Sequence, residues 1–497
     1  MPLKILISEQ IRAADLYTIE HEPVLSINLM ERAAQACTNW IAENYPVDVP
    51  FYFFCGTGNN GGDGLAIARQ LSKRGFKSIR LYILGEPESG SHDFKINLEL
   101  LHENDLVPIS VKHTSEFSKL SSRAIIIDAL LGTGLNRPTE GLHREVIGWI
   151  NNSGKEVIAI DNPSGMFGED NHSNDHVGIV NATHTLTFQQ PKLSFLLPDC
   201  GEKAGKWHVM NIGLSDEFIN NASSPYYLTT QEDIDRIAPQ RKKFSHKGTY
   251  GHSLIIAGSK GMMGAAVLST RAALRSGTGL VSVMTPNCGY SIIQSTAPEA
   301  MCLPSRSENS VSGEIDFSTY RATGIGPGIG KSAEAYTTLK NVLQNFNGPK
   351  VIDADALNLI GENTDLLKWI DGYTVLTPHP GEFDRLFGKS SSGYERLLKL
   401  RTAAQEYGCF ILLKGAYSAV ATPDGKVYFN PTGNPGMAKG GSGDVLTGYL
   451  TGLISSISSI RTACILAAWN HGRAGDLVAA DLGMENMTSL DIIKQLG

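Results

Sequence analysis

The stretch that most constrains this chain is NPTGNPGMAKGGSGDVLTGYL, residues 430–450. Gly440, Gly441 and Gly443 put three residues without Cβ into four positions. They directly precede Asp444 and an apolar run (Val445, Leu446, Leu450, Leu453, Ile454) at the three-to-four-residue spacing of a helix. A glycine loop that turns into a helix presents unpaired N–H groups and the positive end of the helix dipole, which suits an anion. Asp444 then falls in the first helical turn. A carboxylate there is chemically useful if a neighbouring hydroxyl must lose its proton as it meets a phosphoryl group.

At 497 residues the chain exceeds what one hydrophobic core usually serves, so two or more domains are expected. A net charge of −7, without a basic stripe studded with aromatics, argues against a nucleic-acid partner. Seven cysteines scattered without CxxC spacing fit free thiols in a reducing compartment. The start, MPLKILISEQ, is a poor signal peptide, and no stretch reaches 18 apolar residues, so a cytoplasmic, membrane-free protein is expected.

The first half reads as repeated α/β units. A helix opens the chain with Ser8 as its expected cap, and a second runs from about Leu29 to Asn44. Phe51 to Cys55 is a continuous apolar run suited to a strand buried on both faces, and it ends in the loop GTGNNGGDG, 56–64. The spacing is not the GxGxxG fingerprint of dinucleotide binding. Further strands end at Asp128, before the glycine loop that starts at Gly132, and at Asp161 with Ser164. In parallel α/β sheets ligands bind beyond the carboxyl ends of strands, so Asn60, Asp63, Asp128, Asp161 and Ser164 converge on one crevice. Asn60, Asp128 and Ser164 offer a carboxamide, a carboxylate and a hydroxyl, an oxygen cage suited to a weakly held alkali cation, which leaves Asp161 as acid or base. The polar patch 220–225 is the expected linker.

The second half starts again as α/β. It carries the basic turn RKKFSHKGTYGH (241–252), the loop GSKGMMGA, which lacks a Walker ending, and strand-end loops GIGPGIG, VIDADALN, VLTPHPGE and FILLKG. A hairpin turns at Asp424–Gly425, and a helix from Arg461 to Gly472 closes the fold. Ser and Arg interrupt the apolar region 445–469, which therefore reads as buried helices and not as a membrane span.

The segments HKGTYG, GPGIG, TPHPGE, LLKG and GNPGMAKGGSGDVLTG resemble the ADP- or ATP-dependent NAD(P)H-hydrate dehydratase family, a branch of the ribokinase-like superfamily. GTGNNGGDG, DALLGTG and DNPSG resemble the NAD(P)H-hydrate epimerase family. The resemblance implies a Rossmann-like three-layer α/β domain over 1–220 and a ribokinase-like α/β domain over 221–497. It also implies two activities: interconversion of R and S hydrates of NADH and NADPH (NADHX and NADPHX), and dehydration of the S form. Dehydration would consume ADP, with ATP as the alternative, together with Mg2+, and release AMP and phosphate.

Carried onto this sequence, the resemblance has Asn59, Asn60, Gly61, Gly62, Asp63, Gly132, Thr133, Gly134, Leu135, Asn136, Arg137 and Pro138 contact the hydrate. Asn60, Asp128 and Ser164 would hold K+, and Asp161 would serve as the epimerase acid/base. In the second domain Asp444 would take the C6 hydroxyl proton, and Gly324 and His379 would sit at the hydrate. Lys414, Gly415, Ala416, Tyr417, Ser418 and Gly443 would sit at the adenylate. Relatives carry Thr or Ser where this chain has Lys439, a cation that either strengthens nucleotide binding or points to solvent. A homo-oligomer is expected. Taken alone, the second half also suits a small-molecule kinase that keeps its phosphorylated product, and the first half a non-catalytic binding module.

Overall fold

The computed structural model describes residues 2–22, 24–102, 104 and 106–497. Two compact units form: Lys4–Ser224 with Ser392–Tyr394, and Pro225–Ser391 with Glu395–Gly497 and Met1–Leu3. The first unit begins with helices α1 (Ser8–His21) and α2 (Ser26–Asn44), then β1 (Phe51–Cys55), α3 (Asn59–Lys73), β2 (Ile79–Leu84), α4 (His92–His102) and β3 (Ile109–Val111). It continues with β4 (Ile125–Ala129), α5 (Gly141–Asn152), β5 (Glu156–Ile160), β6 (His184–Phe188), β7 (Lys206–Met210) and α6 (Asp216–Asn221). The seven strands are all parallel in the order β3-β2-β1-β4-β5-β6-β7. Every residue of β1 is buried, as expected for a strand covered on both faces. The order reverses between β1 and β4, so the crevice beyond those two strand ends is the natural ligand site of a Rossmann-like sheet.

Three local expectations change. Ser8 does not cap α1: Ile7 holds the cap position, and Ser8 gives its N–H and hydroxyl to Glu169 at 2.6 and 2.8 Å. Asn59–Gly64 are not a loop but the first turns of α3, with Gly62 N–H already bonded to the Gly58 carbonyl. Glycine is unfavourable in a helix, but here it permits contact: a Cβ on Gly61 would stand 1.8 Å from the Gly56 carbonyl oxygen. The expected linker is partly helical, since α6 runs to Asn221 and Lys4 Nζ donates to the Asn220 and Ala222 carbonyls.

The second unit holds β8 (Tyr226–Leu228), α7 (Gln231–Ile237), β9 (His252–Ile256), α8 (Met263–Arg275), β10 (Leu280–Thr285), α9 (Tyr290–Thr296), β11 (Met301–Pro304) and β12 (Ala322–Ile325). Next come α10 (Ala333–Asn345), β13 (Lys350–Ile352), α11 (Ala354–Glu362), β14 (Thr374–Leu376), α12 (Pro380–Phe387), α13 (Gly393–Glu406), β15 (Phe410–Leu413), β16 (Ala419–Ala421) and β17 (Val427–Phe429). Helices α14 (Ser442–Ser456), α15 (Ile460–Leu482) and α16 (Ser489–Gln495) finish the chain. These strands follow the order β8-β17-β16-β15-β14-β13-β12-β9-β10-β11 and are parallel except for β16, which is antiparallel to both β15 and β17 and forms a hairpin with β17. The expected turn at Asp424–Gly425 lies in that hairpin, with Gly425 at φ 77°.

The last helical region is longer than the sequence reading, because α15 continues to Leu482 and α16 follows. α14 is buried from Val445 to Ser455, which is why its apolar residues run nearly all round it. Its interior Thr and Ser side chains belong to a packed core, whereas Arg461 at the start of α15 lies at the surface, paired with Asp424. No described helix is long and apolar enough to cross a membrane.

Candidate active sites

In the first unit the strand ends bring Asp128 and Ser164 into direct contact and set Asn60 against Gly132. Asp128, at the end of β4, accepts from the Ser164 hydroxyl at 2.5 Å and from the Ser164 N–H at 2.8 Å. Asn60 lies in the first turn of α3 against Gly132. Both its carboxamide atoms are buried without a hydrogen-bond partner. Buried amide groups are normally satisfied, so this one is poised for a ligand or an ion. Burial raises the Asp128 carboxyl to about 6, against the lowering pull of its Ser164 bonds.

Asp161 follows β5 at φ 64°, a left-handed backbone that is uncommon outside glycine and asparagine-like residues and that concentrates at functional positions. Its carboxylate meets the Lys192 ammonium at 2.7 Å, accepts from Phe188 N–H at 3.3 Å and accepts from the Thr133 hydroxyl at 3.3 Å. Lys192 is 1 % exposed. The sequence reading missed it. Its only local signal is a lone cation inside the apolar run PKLSFLL.

Two more carboxyls surround this pair. Burial, then the negative charges of Asp161, Asp15 and Asp93, push Asp63 well above the carboxylate range. Burial and Asp161 raise Asp15 on α1 to about 7, with Lys192 opposing. Of the remaining expected hydrate contacts, Asn59, Gly134, Asn136, Arg137 and Pro138 are exposed, and Leu135 is half-buried. Residues 134–138 form an open rim between β4 and α5, and Asn59 opens α3.

The second unit contains a cavity of about 670 Å3, a size typical of small-molecule sites, lined by Lys414, Gly415, Ala416, Ser418, Gly443 and His379 among others. Tyr417 is not among the lining residues. Gly441, at φ 92°, caps α14 in a left-handed conformation that needs glycine, and Val445 N–H bonds to its carbonyl. Asp444 stands in the first turn as expected. Burial raises its carboxyl to about 6; Asp353 and Asp355 add to the rise, and Lys414 opposes it.

His379 caps α12, its Nδ1 accepting from Gly381 N–H at 3.1 Å while its Nε2 lies 3.4 Å from the buried Glu382 carboxylate. Gly324 does not face the cavity. It is buried inside β12, and a Cβ there would meet the Thr451 hydroxyl at 2.3 Å. Lys439 is exposed, yet its ammonium is tied down, donating to the carbonyls of Glu485 and Met487.

Two further residues escaped the sequence reading. Asp353 takes the Lys414 ammonium at 2.6 Å and the Thr447 hydroxyl at 2.5 Å. His471 on α15 lines the cavity and stands 3.4 Å from the Ser442 hydroxyl, with burial and Lys414 lowering it to about 4. Among the described residues, no group of three or more His, Cys, Asp or Glu is placed to hold a metal.

Residues 253–497 match the NAD(P)H-hydrate dehydratase family, and residues 26–194 match the family described as YjeF-related protein N-terminus. The chain is 35 % identical to the bifunctional NAD(P)H-hydrate repair enzyme Nnr of Moorella thermoacetica, over 94 % of this chain and 91 % of that protein. It is 32 % identical to the corresponding protein of Coxiella burnetii, over 98 % of each. A crystal structure of the ADP/ATP-dependent NAD(P)H-hydrate dehydratase of Bacillus subtilis, co-crystallized with ATP and Mg2+, aligns with 54 % of this chain and 95 % of its own, at 30 % identity and a TM-score of 0.47.

Proposed function

Because the chain belongs to the family of bifunctional NAD(P)H-hydrate repair enzymes, we propose a division of its chemistry between the two strand-end sites described above. The enzyme epimerises the R and S hydrates of NADH and NADPH and dehydrates the S form at the expense of ADP. It joins a Rossmann-like α/β domain to a ribokinase-like one, with domain limits proposed at 1–220 and 221–497.

Epimerisation takes place in the β1–β4 crevice. There Asp161 exchanges a proton with the hydrate, and Lys192 and Thr133 fix its carboxylate in one orientation. Asn59–Asp63 and Gly132–Pro138 frame the nicotinamide. The unpartnered Asn60 carboxamide, the Asp128 carboxylate and the Ser164 hydroxyl fit a monovalent cation such as K+. That ion would lend positive charge to the crevice floor.

Dehydration takes place at the start of α14. Asp444 accepts the C6 hydroxyl proton as that oxygen takes the terminal phosphoryl group of ADP. AMP is released, and phosphate then leaves C6 as C5 gives up a proton to solvent, which restores the ring double bond. The N–H groups behind Gly441 and the Lys414 ammonium face the transferring oxygens. Lys414, Gly415, Ala416, Ser418 and Gly443 line the adenylate end, and His379, oriented by Glu382, stands at the hydrate. Mg2+ arrives with the nucleotide phosphates and offsets their charge.

The observation that carries this reading is a carboxylate raised to about 6 in the first turn of a glycine-capped helix beside a nucleotide-sized cavity. The test supplies the purified chain with mixed R and S hydrates, Mg2+ and either ADP or ATP, and follows each epimer, NAD(P)H and phosphate. We expect both epimers to be consumed with ADP. A phosphorylated product that persists would instead make this a kinase. Cytoplasmic residence and a homo-oligomeric assembly complete the proposal, the latter checked by sedimentation.

A further inference from the structure

Lys414 ends β15 and Asp353 follows β13, with β14 between them in the sheet. The lysine therefore reaches across a whole strand end to place its Nζ 2.6 Å from Asp353 Oδ1. The second oxygen of Asp353 accepts from Thr447, one turn along α14 from Asp444. Asp353 is 1 % exposed, whereas a quarter of Lys414 remains open to the cavity at 23 %. A Cβ placed on Gly443 would stand 3.2 Å from that same Nζ. One ammonium thus lies between two carboxylates that both feel it. The deeper one, Asp353, holds it, and Asp444 makes no ion pair within 4 Å among the described residues. If Lys414 instead paired with Asp444, the carboxylate would be occupied and a weaker base, and the cation would turn from the phosphoryl group.

We propose that Asp353 is a positioning residue for dehydration: it claims Lys414, leaving the Asp444 carboxylate free for the substrate hydroxyl and the ammonium facing the phosphoryl group. This rests on the assignment of Asp444 as the base. The other ionisable groups facing the pair are Asp355 on α11, which accepts from Gly330 N–H at 2.9 Å, and His471 on α15. Burial keeps His471 neutral near and above pH 6. His379 and Lys439 also line the cavity, the latter tied to main-chain carbonyls.

The test is the pH profile of kcat for dehydration of pure S hydrate by the full-length enzyme at saturating ADP and Mg2+, in D353N and K414M. Removing the negative charge of Asp353 should move the acid limb to lower pH by about one unit and cut kcat at pH 7.5 roughly tenfold, because Lys414 is released to Asp444. Removing the positive charge of Lys414 should move the same limb to higher pH. Opposite displacements support the inference, since a packing defect would lower kcat without moving the limb. Limbs that stay put, or move the same way, overturn it.

Should D353N fail to fold, K414M decides alone: an upward move supports the inference, and no move or a downward one overturns it. D444N separates this inference from the reading beneath it. Dehydration by D444N at the wild-type rate overturns both. An inactive D444N that still binds ADP, together with unmoved limbs, overturns only the role of Asp353.

Discussion

Each unit sets a lysine beside the carboxylate proposed to work there, but the pairings differ. In the first unit Lys192 is buried and bonds Asp161 directly at 2.7 Å, so the carboxylate is pinned from behind. In the second, Lys414 is diverted to Asp353, and Asp444 is left unpaired with its carboxyl raised to about 6. The difference follows the chemistry each must do. Reversible proton exchange on one ring needs an acid/base held in a fixed direction. Phosphoryl transfer needs a base and a cation acting at two different atoms, so the two must be kept apart.

The sharpest way to break this contrast is D444N. The isosteric amide keeps the start of α14, so ADP binding should persist in calorimetry, while dehydration falls by about 10²–10⁴ and epimerisation is untouched. K192M is its counterpart. Loss of the pair should lower epimerisation about 10²-fold, leave dehydration of pure S hydrate intact and reduce thermal stability, because a buried carboxylate loses its partner. Equal loss of both activities in K192M would erase the distinction between the sites.

D128A sharpens it further: epimerisation without nucleotide or Mg2+ should drop by about tenfold. Replacing K+ by tetramethylammonium at constant ionic strength should lower epimerisation in the same direction, with S-hydrate dehydration unchanged. The smallest effect is a matter of pH. Because burial lifts the Asp444 carboxyl and the base works ionised, dehydration should be full above pH 7. It should fall about tenfold by pH 5, as protonation through about 6 removes the base. A rate flat across that window would place the base elsewhere.

What the sequence made legible was local chemistry at strand ends. The all-apolar Phe51–Cys55, the glycines before Asp444 and the acids at 128 and 161 carry their meaning within a few residues, and the fold sets each of them at a strand or helix end. What stayed hidden was pairing at long range. Lys192 meets a residue 31 positions away and Lys414 one 61 positions away, and neither partner changes the local pattern. The glycines of 56–64 misled for the opposite reason. A loop was read from composition where the fold uses the missing Cβ atoms to press α3 against the β1 end. Lys439 shows the same limit, since its acceptors are main-chain carbonyls near the end of the chain and carry no side-chain signature.

That last contact has a practical side. The loop leading into α14 is moored to residues far along the chain: Lys439 to the carbonyls of Glu485 and Met487, and the Gly440 carbonyl to the Ser489 hydroxyl at 2.9 Å. Residues 485–489 are therefore part of the scaffolding of the proposed nucleotide site even though none of them lines its cavity. A stop codon at 484, or a bulky tag that strains α16, would be an active-site mutation in effect, blunting ADP turnover while the epimerase half carried on.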